Sequence, residues 1–184
     1  MQKVLYLFGE LSDDDLDWII ANGAIEKIPA TTVLIKEGES TDFFYIVLEG
    51  SLVVSVTTEA GIREVTTLGN GEIFGEMSFV DSRPPSATVE TLTESLVLSL
   101  SRAVLGNHLL DDIGFASRFY RAIALFLSGR LRVTLAELEL GTTESSAELE
   151  VSPILLNNLS LAQARYDWLL RRVKNAVVLN PAAI

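Results

Sequence analysis

Polar and apolar residues alternate in short runs along the first hundred positions, and this period of two is the pattern of half-buried β-strands. Five runs rich in β-branched or alternating residues are predicted to be strands, at residues 32–35, 43–48, 51–56, 63–68 and 95–100. Turns that contain glycine or asparagine separate them, among them Glu49-Gly50, Ala60-Gly61 and Asn70-Gly71. Short strands with regular turns predict a sandwich or barrel.

Helical patterns flank this strand region on both sides. Ser12 precedes three aspartates and an apolar helical spacing, which predicts a short helix that opens the domain. From about residue 111 a long segment is apolar on more than one face, so it is expected to pack against two partners. Reading in sevens, large and small residues form rows that suit closely approaching helices: Phe119, Ala122, Phe126, Gly129 and Val133.

The end of the chain changes character again. Residues 141–153 are polar and rich in turn formers, so they are interpreted as a linker. A terminal helical appendage is predicted over residues 154–184, with Ser160 as its N-cap and Trp168 on its apolar stripe. The domain proper is therefore predicted to span residues 1–140. Trp168 and the basic residues of this helix either pack within the protein or dock a partner.

The segment Gly69–Phe79, together with Ser86-Ala87-Thr88-Val89, carries the candidate chemistry of the chain. Gly75 allows a tight backbone turn, and Glu76 to Val80 form one short helical turn whose first amides are exposed. A helix start attracts anions, and a cyclic phosphate is an anion.

This ordered set resembles the phosphate-binding cassette of the cyclic nucleotide-binding domain family. The resemblance covers about residues 10 to 135. It implies a mainly β fold with helices: a jelly-roll-like double-stranded β-helix with a short N-terminal helix, a long C-terminal helix and a terminal helix. It also implies a ligand, cyclic AMP or cyclic GMP, whose ribose 2′-hydroxyl would bond Glu76. The ligand-binding residues implied are Gly75, Glu76, Met77, Ser78, Arg83, Ser86, Ala87 and Thr88.

One position departs from the family pattern. The arginine that family members place nine residues after the cassette glutamate is Pro85 here. A guanidinium is the strong, geometrically selective partner of a phosphate. Arg83 is the nearest replacement, and it either reaches the phosphate or pairs with Glu76 and fills the site itself. The two functional hypotheses are therefore a cyclic nucleotide sensor and a ligand-blind interaction or scaffold module that kept the barrel.

Charge is uneven along the chain. Residues 1–110 contain 6 Lys and Arg against 17 Asp and Glu, a net of −11, whereas residues 111–184 contain 8 of each. An acidic barrel repels nucleic acid, and no helix-turn-helix pattern follows residue 141, so direct DNA binding is not expected. In the family the long helix often forms a dimer interface, so a homodimer that signals to an effector protein is expected. Burial of the same row against the barrel of a monomer is the alternative.

The sequence gives an enzyme little support. His108 is the single histidine, no serine lies in a nucleophile-elbow context, and the absence of cysteine excludes thiolate chemistry. The carboxylates do not have metal-loop spacing, so no cofactor and no metal site are expected. Apolar runs are too short for a membrane span and no signal pattern opens the chain, which predicts a cytoplasmic protein without membrane insertion.

Overall fold

The structure is a computed structural model that describes residues 5–140 and 153–179. The helices are α1 (Leu5–Glu10), α2 (Asp13–Asn22), α3 (Glu76–Asp81), α4 (Arg102–Asp111), α5 (Ile113–Leu140) and α6 (Pro153–Leu179). The strands are β1 (Ala24–Ile28), β2 (Val33–Ile35), β3 (Phe43–Glu49), β4 (Leu52–Thr58), β5 (Gly61–Leu68), β6 (Ile73–Phe74), β7 (Thr88–Thr91) and β8 (Ser95–Ser101). In these ranges, no helix is long and apolar enough to cross a membrane.

The strands form two four-stranded antiparallel sheets, in the orders β1-β8-β3-β6 and β2-β7-β4-β5. All five predicted strand runs are confirmed, as β2, β3, β4, β5 and β8. The strands β1 and β7 were not predicted. They are short and mixed in composition, so pairing with longer neighbours defines them rather than their own periodicity. The jelly-roll-like, mainly β fold expected from the sequence is thus present.

Strand β3 divides the core in two. Its even-numbered residues Phe44, Ile46 and Leu48 face a cluster shared with the helices, whereas Tyr45 and Val47 face the space between the sheets. This division follows from the alternation of side chains along a strand. Because β3 is buried on both faces, its sequence is an almost continuous apolar run. One face of β3 therefore packs against the helices, and its other face packs against residues of both sheets.

The predicted helix row on α5 is buried inside its own chain. Phe119 is fully buried, and its ring centroid lies 5.6 Å from that of Phe44 on β3 and 5.8 Å from that of Phe79 on α3. Ala122 and Phe126 are buried in the same cluster. A side chain already buried in its own chain has no surface to offer a second copy. The dimer interface predicted at these three residues is therefore wrong, and a homodimer stays a prediction.

Of the other two residues in that row, Gly129 is also buried, and the Val133 side chain lies outside the described part of α5. Ahead of α5 the chain forms α4, which the sequence did not predict, and Asp112 then caps α5 by accepting the Phe115 N–H at 2.8 Å.

The terminal helix α6 packs against the N-terminal helices and the barrel. It begins at Pro153, so Ser160 lies inside it and the predicted cap there is wrong; proline is favoured at a first helical position because its missing N–H is not needed. The predicted linker otherwise lies outside the described residues. Arg165 donates to the carbonyl oxygens of Phe8 and Leu11 at the end of α1, and Tyr166 donates its hydroxyl to the Leu48 carbonyl of β3. Helix α6 is thus tied to both layers.

Helix α2 follows α1 and is capped as the sequence predicted, and its cap is also an ion-pair site. Ser12 and Asp15 bond reciprocally in a capping box. Arg118 of α5 forms a bidentate salt bridge with Asp15, with nitrogen–oxygen distances of 2.6 and 2.7 Å. Burial alone would raise the pKa of Asp15, but the bonds from Arg118 and Ser12 outweigh it and hold that pKa below its ordinary value. The ionised carboxylate therefore stabilises the contact between α2 and α5.

We expect the free energy of unfolding to fall less steeply with decreasing pH in Asp15→Asn than in wild type. Because the folded pKa of Asp15 is lowered, its contribution is complete above the unfolded value of about 3.9 and is lost as the pH falls through the folded pKa. Urea unfolding between pH 7 and pH 3 measures this slope. Asp14→Asn is the matched control, since Asp14 is exposed on the same turn. Equal slopes for the two variants would contradict the assignment.

Candidate functional site

Gly75 shapes the start of the cassette. It follows β6 with φ of 82°, the left-handed region that side chains disfavour, and it precedes α3 directly. A Cβ atom here would lie 2.8 Å from the carbonyl oxygen of Phe43, closer than real contacts allow. Both the dihedral angle and the approach to β3 therefore require glycine. This geometry places the next residue, Glu76, against the interior.

Glu76 is a buried carboxylate with an arginine partner from another helix. Its side chain is 3% exposed, and Oε1 accepts a 2.7 Å bond from Nη1 of Arg130 on α5. Arg130 itself lies over the ring of Phe126, 4.9 Å from its centroid. Burial raises the pKa of Glu76, and Arg130 and the amides of Glu76 and Met77 offset that rise only in part. The pair couples the cassette to the long helix.

Arg83 does not fill the site. Its side chain is 83% exposed, and its nearest ionic partner is Asp81, at 3.9 Å. The reason is local: α3 ends at Asp81, Ser82 adopts a left-handed conformation, and the Arg83 N–H bonds back to Asp81. The hypothesis that Arg83 pairs with Glu76 is therefore wrong. Arg130 occupies that role.

The remaining predicted cassette residues lie on either side of this turn. Ser78 is buried in α3, whereas Met77 is about half exposed. Ser86 is exposed and Ala87 half-buried on the loop that leads into β7. Thr88 begins β7, and its hydroxyl accepts the Glu37 N–H at 3.1 Å.

Pro85 has a structural contact of its own. Its carbonyl oxygen accepts the Gly38 N–H at 2.9 Å. Together with the bond between Thr88 and Glu37, this contact fixes the Ser86-Ala87 loop against the turn after β2. A backbone carbonyl makes the Pro85 contact, so it does not depend on the proline ring.

Sequence reasoning missed Arg130 because nothing local identifies its partner. The sequence places Arg118, Arg121, Arg130 and Arg132 on one long helix, a pattern typical of a solvated face and compatible with contacts to a partner's acidic barrel or with an anion site. Three of them instead form ion pairs within the chain: Arg118 with Asp15, Arg121 with Glu10, and Arg130 with Glu76. The only signal in the sequence was the separation of four residues between Phe126 and Arg130, which puts both on one helix face. That spacing does not reveal what the face meets.

Comparisons with known proteins agree with this architecture. A family model described as a cyclic nucleotide-binding domain matches residues 25–112. The cAMP-dependent protein kinase regulatory subunit of Blastocladiella emersonii is 32% identical over 118 residues, which are 64% of this chain and 29% of that protein. The cAMP-activated global transcriptional regulator CRP of Haemophilus influenzae is 35% identical over 91 residues, covering 48% of this chain and 41% of that protein.

Among solved structures, the catabolite activator protein of Thermus thermophilus matches with a TM-score of 0.62 and 26% identity, covering 73% of this chain and 62% of that one. The chain spans less than half the length of the two curated relatives, both of which are regulatory proteins rather than catalysts. Because the family match covers the strands of both sheets and the cassette that Gly75 and Glu76 shape, residues 25–112 form a cyclic nucleotide-binding domain.

Proposed function

We propose that this protein is a non-catalytic regulatory protein whose barrel senses a cyclic purine nucleotide and signals through protein contacts. The observation that carries the proposal is the buried carboxylate of Glu76, fixed at the start of α3 by a left-handed Gly75. Burying a carboxylate costs free energy, and a turn with a purely structural role does not need a buried carboxylate. The resemblance gives that carboxylate a ligand, the ribose 2′-hydroxyl.

The Glu76 carboxylate has acceptor capacity beyond its contact with Arg130. Arg130 bonds Oε1 and the amides of Glu76 and Met77 bond the same group, which has about four acceptor positions on two oxygens. A ribose hydroxyl would therefore add to the pair rather than displace it. Displacement would exchange a charge-assisted bond for a neutral one and leave a buried pair broken.

Signalling would follow from the attachment of α5 to the cassette. The same helix holds the N-terminal helices through Arg118 and Arg121. A nucleotide that binds better to one position of α5 than to another shifts the helix by that difference in affinity. The surface seen by an effector protein, or by a second copy in a homodimer, would change accordingly. The names of the relatives favour cyclic AMP as the first ligand to test.

Pro85 favours a second candidate function. Without the family arginine the phosphate loses its cationic partner, and Glu76 is already paired internally. The domain would then be a ligand-blind interaction module in which Arg130 holds α5 in one position. This candidate predicts no nucleotide binding at any concentration in the physiological range.

Isothermal titration calorimetry with cyclic AMP and cyclic GMP separates the two candidates. We expect micromolar binding that weakens by about ten- to a hundredfold in Glu76→Gln, because a hydrogen bond to a charged group contributes roughly 1.5 to 3 kcal/mol. Glu39→Gln is the matched control, since Glu39 is an exposed carboxylate that pairs with the equally exposed Lys36. Absence of heat at millimolar ligand would support the ligand-blind module.

A further inference from the structure

Arg102, at the start of α4, makes contacts that no cassette motif accounts for. Its Nη2 donates to the carbonyl oxygen of Ser78 in α3 at 2.6 Å, and its Nη1 donates to the carbonyl oxygen of Thr41 at 3.0 Å. Its backbone N–H donates to the Asp42 carbonyl at 2.9 Å. One residue therefore joins α3, α4 and the segment that leads into β3.

The place of these contacts matters because the start of β3 is the backbone on which the cassette turn rests. The carbonyl oxygen of Phe43 lies 2.8 Å from where a Cβ of Gly75 would be, so the position of β3 relative to α3 sets the geometry of the turn. Arg102 fixes that position through the Ser78 carbonyl, two residues after Glu76. Its guanidinium also lies 6.0 Å from the ring centroid of Phe79, on the same short helix.

Helix α3 is thus held at two points by guanidinium groups from two different helices. Arg130 of α5 bonds Glu76 at the first turn, and Arg102 of α4 bonds the Ser78 carbonyl, which also accepts the Ser82 N–H that ends the helix. A helix of six residues has too few internal bonds to be stable alone. Its position in the barrel therefore depends on such outside contacts.

We infer that Arg102 is a positioning residue for the cassette: its two-carbonyl contact fixes α3 against β3 and so keeps Gly75 and Glu76 in place. The effect on ligand affinity rests on the proposed function, whereas the effect on α3 itself does not. Arginine suits this task because its planar fork presents several donors in fixed directions, which a lysine ammonium does not.

Hydrogen exchange measured by mass spectrometry tests the inference without any ligand. In Arg102→Met we expect amide exchange across residues 76–82 to accelerate about tenfold or more, since a lost charge-assisted bond allows local opening of that order. Peptides from α6, around Tyr166, report global stability. Arg63→Met is the matched control, because Arg63 is an exposed arginine on β5 and belongs to no candidate site.

The results separate cleanly. Acceleration confined to α3 in Arg102→Met, with partial rescue in Arg102→Lys, supports a positioning role. Exchange at α3 that matches wild type overturns it. If the methionine variant loses its fold, Arg102→Gln decides, because it keeps a neutral donor and most of the side-chain length; unchanged α3 exchange in that variant also overturns the inference.

A parallel titration with cyclic AMP distinguishes this inference from the proposed function. If wild type binds, affinity should fall about tenfold in Arg102→Met and much less in Arg63→Met. If wild type does not bind, the proposed function fails while the exchange result still stands. Binding that is unchanged in Arg102→Met would remove the link between α3 position and ligand affinity.

Discussion

Replacing Pro85 with arginine is expected to tighten the binding of cyclic AMP by about ten- to a hundredfold, because a guanidinium–phosphate bond contributes roughly 1.5 to 3 kcal/mol. The backbone should tolerate the change. Pro85 contacts the Gly38 N–H through its own carbonyl oxygen, which every residue has. Its side chain adjoins Ser86 and Ala87, the small residues between which the family's phosphate would approach. The gain should decline as salt increases, since it is partly electrostatic.

The same titration with Pro84→Arg shows whether position matters. That variant adds an equal charge one residue earlier, so a gain in both would indicate general attraction rather than a phosphate contact. A gain restricted to Pro85→Arg would mean that the rest of the cassette is intact. Failure of both variants to bind cyclic AMP would mean that the pocket is closed for a reason other than the missing arginine.

The barrel was predictable from the sequence because its determinants are local. Strand β3 is a bounded apolar run, β4 is rich in β-branched residues, and glycine turns mark where each of them ends. The cap of α2 was equally clear, since Ser12 and Asp15 interact within one turn. Such features depend on residues only a few positions apart, so one chain without relatives is enough to identify them.

The candidate site was only half predictable for the opposite reason. Gly75 and Glu76 lie within the cassette motif, but Arg130 comes 54 positions after Glu76, and its partner depends on how α5 crosses the barrel. Phe119 shows the same limit. Its spacing suits a contact between helices, yet the strand β3 and the helix α3 of its own chain cover it. Periodicity indicates that a face is buried, not what buries it.

The N-terminal helices α1 and α2 connect the two ends of the helical layer. Their carboxylates form ion pairs with Arg118 and Arg121 of α5 and with Arg165 and Arg172 of α6. This explains how the net charge of the two halves of the sequence is distributed in space: acidic residues before position 20 pair with arginines that follow position 110. A series of ion pairs therefore connects α5 to α6 through α1 and α2.

Arg130→Met is expected to lower the free energy of unfolding by about 2 to 4 kcal/mol, because it leaves the buried carboxylate of Glu76 without its cation. The range lies somewhat below that for a fully buried pair, since the Arg130 side chain is 34% exposed. The double variant Glu76→Gln with Arg130→Met should recover much of the loss, as the unpaired charge is then gone. Urea unfolding of the two single variants and the double variant gives the coupling directly. Arg132→Met, on an exposed position of the same helix, is the control.

The pH dependence of Arg130→Met distinguishes an unpaired charge from simple loss of packing. Burial already raises the pKa of Glu76, and removal of Arg130 takes away an attraction that lowers it, so the pKa of Glu76 should rise further. A carboxyl group whose folded pKa exceeds its unfolded value, about 4.3, binds more protons when folded, so stability falls as the pH rises between those two values. The deficit of Arg130→Met relative to wild type should therefore be greatest at neutral pH and shrink as the pH falls toward about 4. A deficit that stays constant over this range would mean that Arg130 stabilises the protein through its contact with Phe126 rather than through the charge of Glu76.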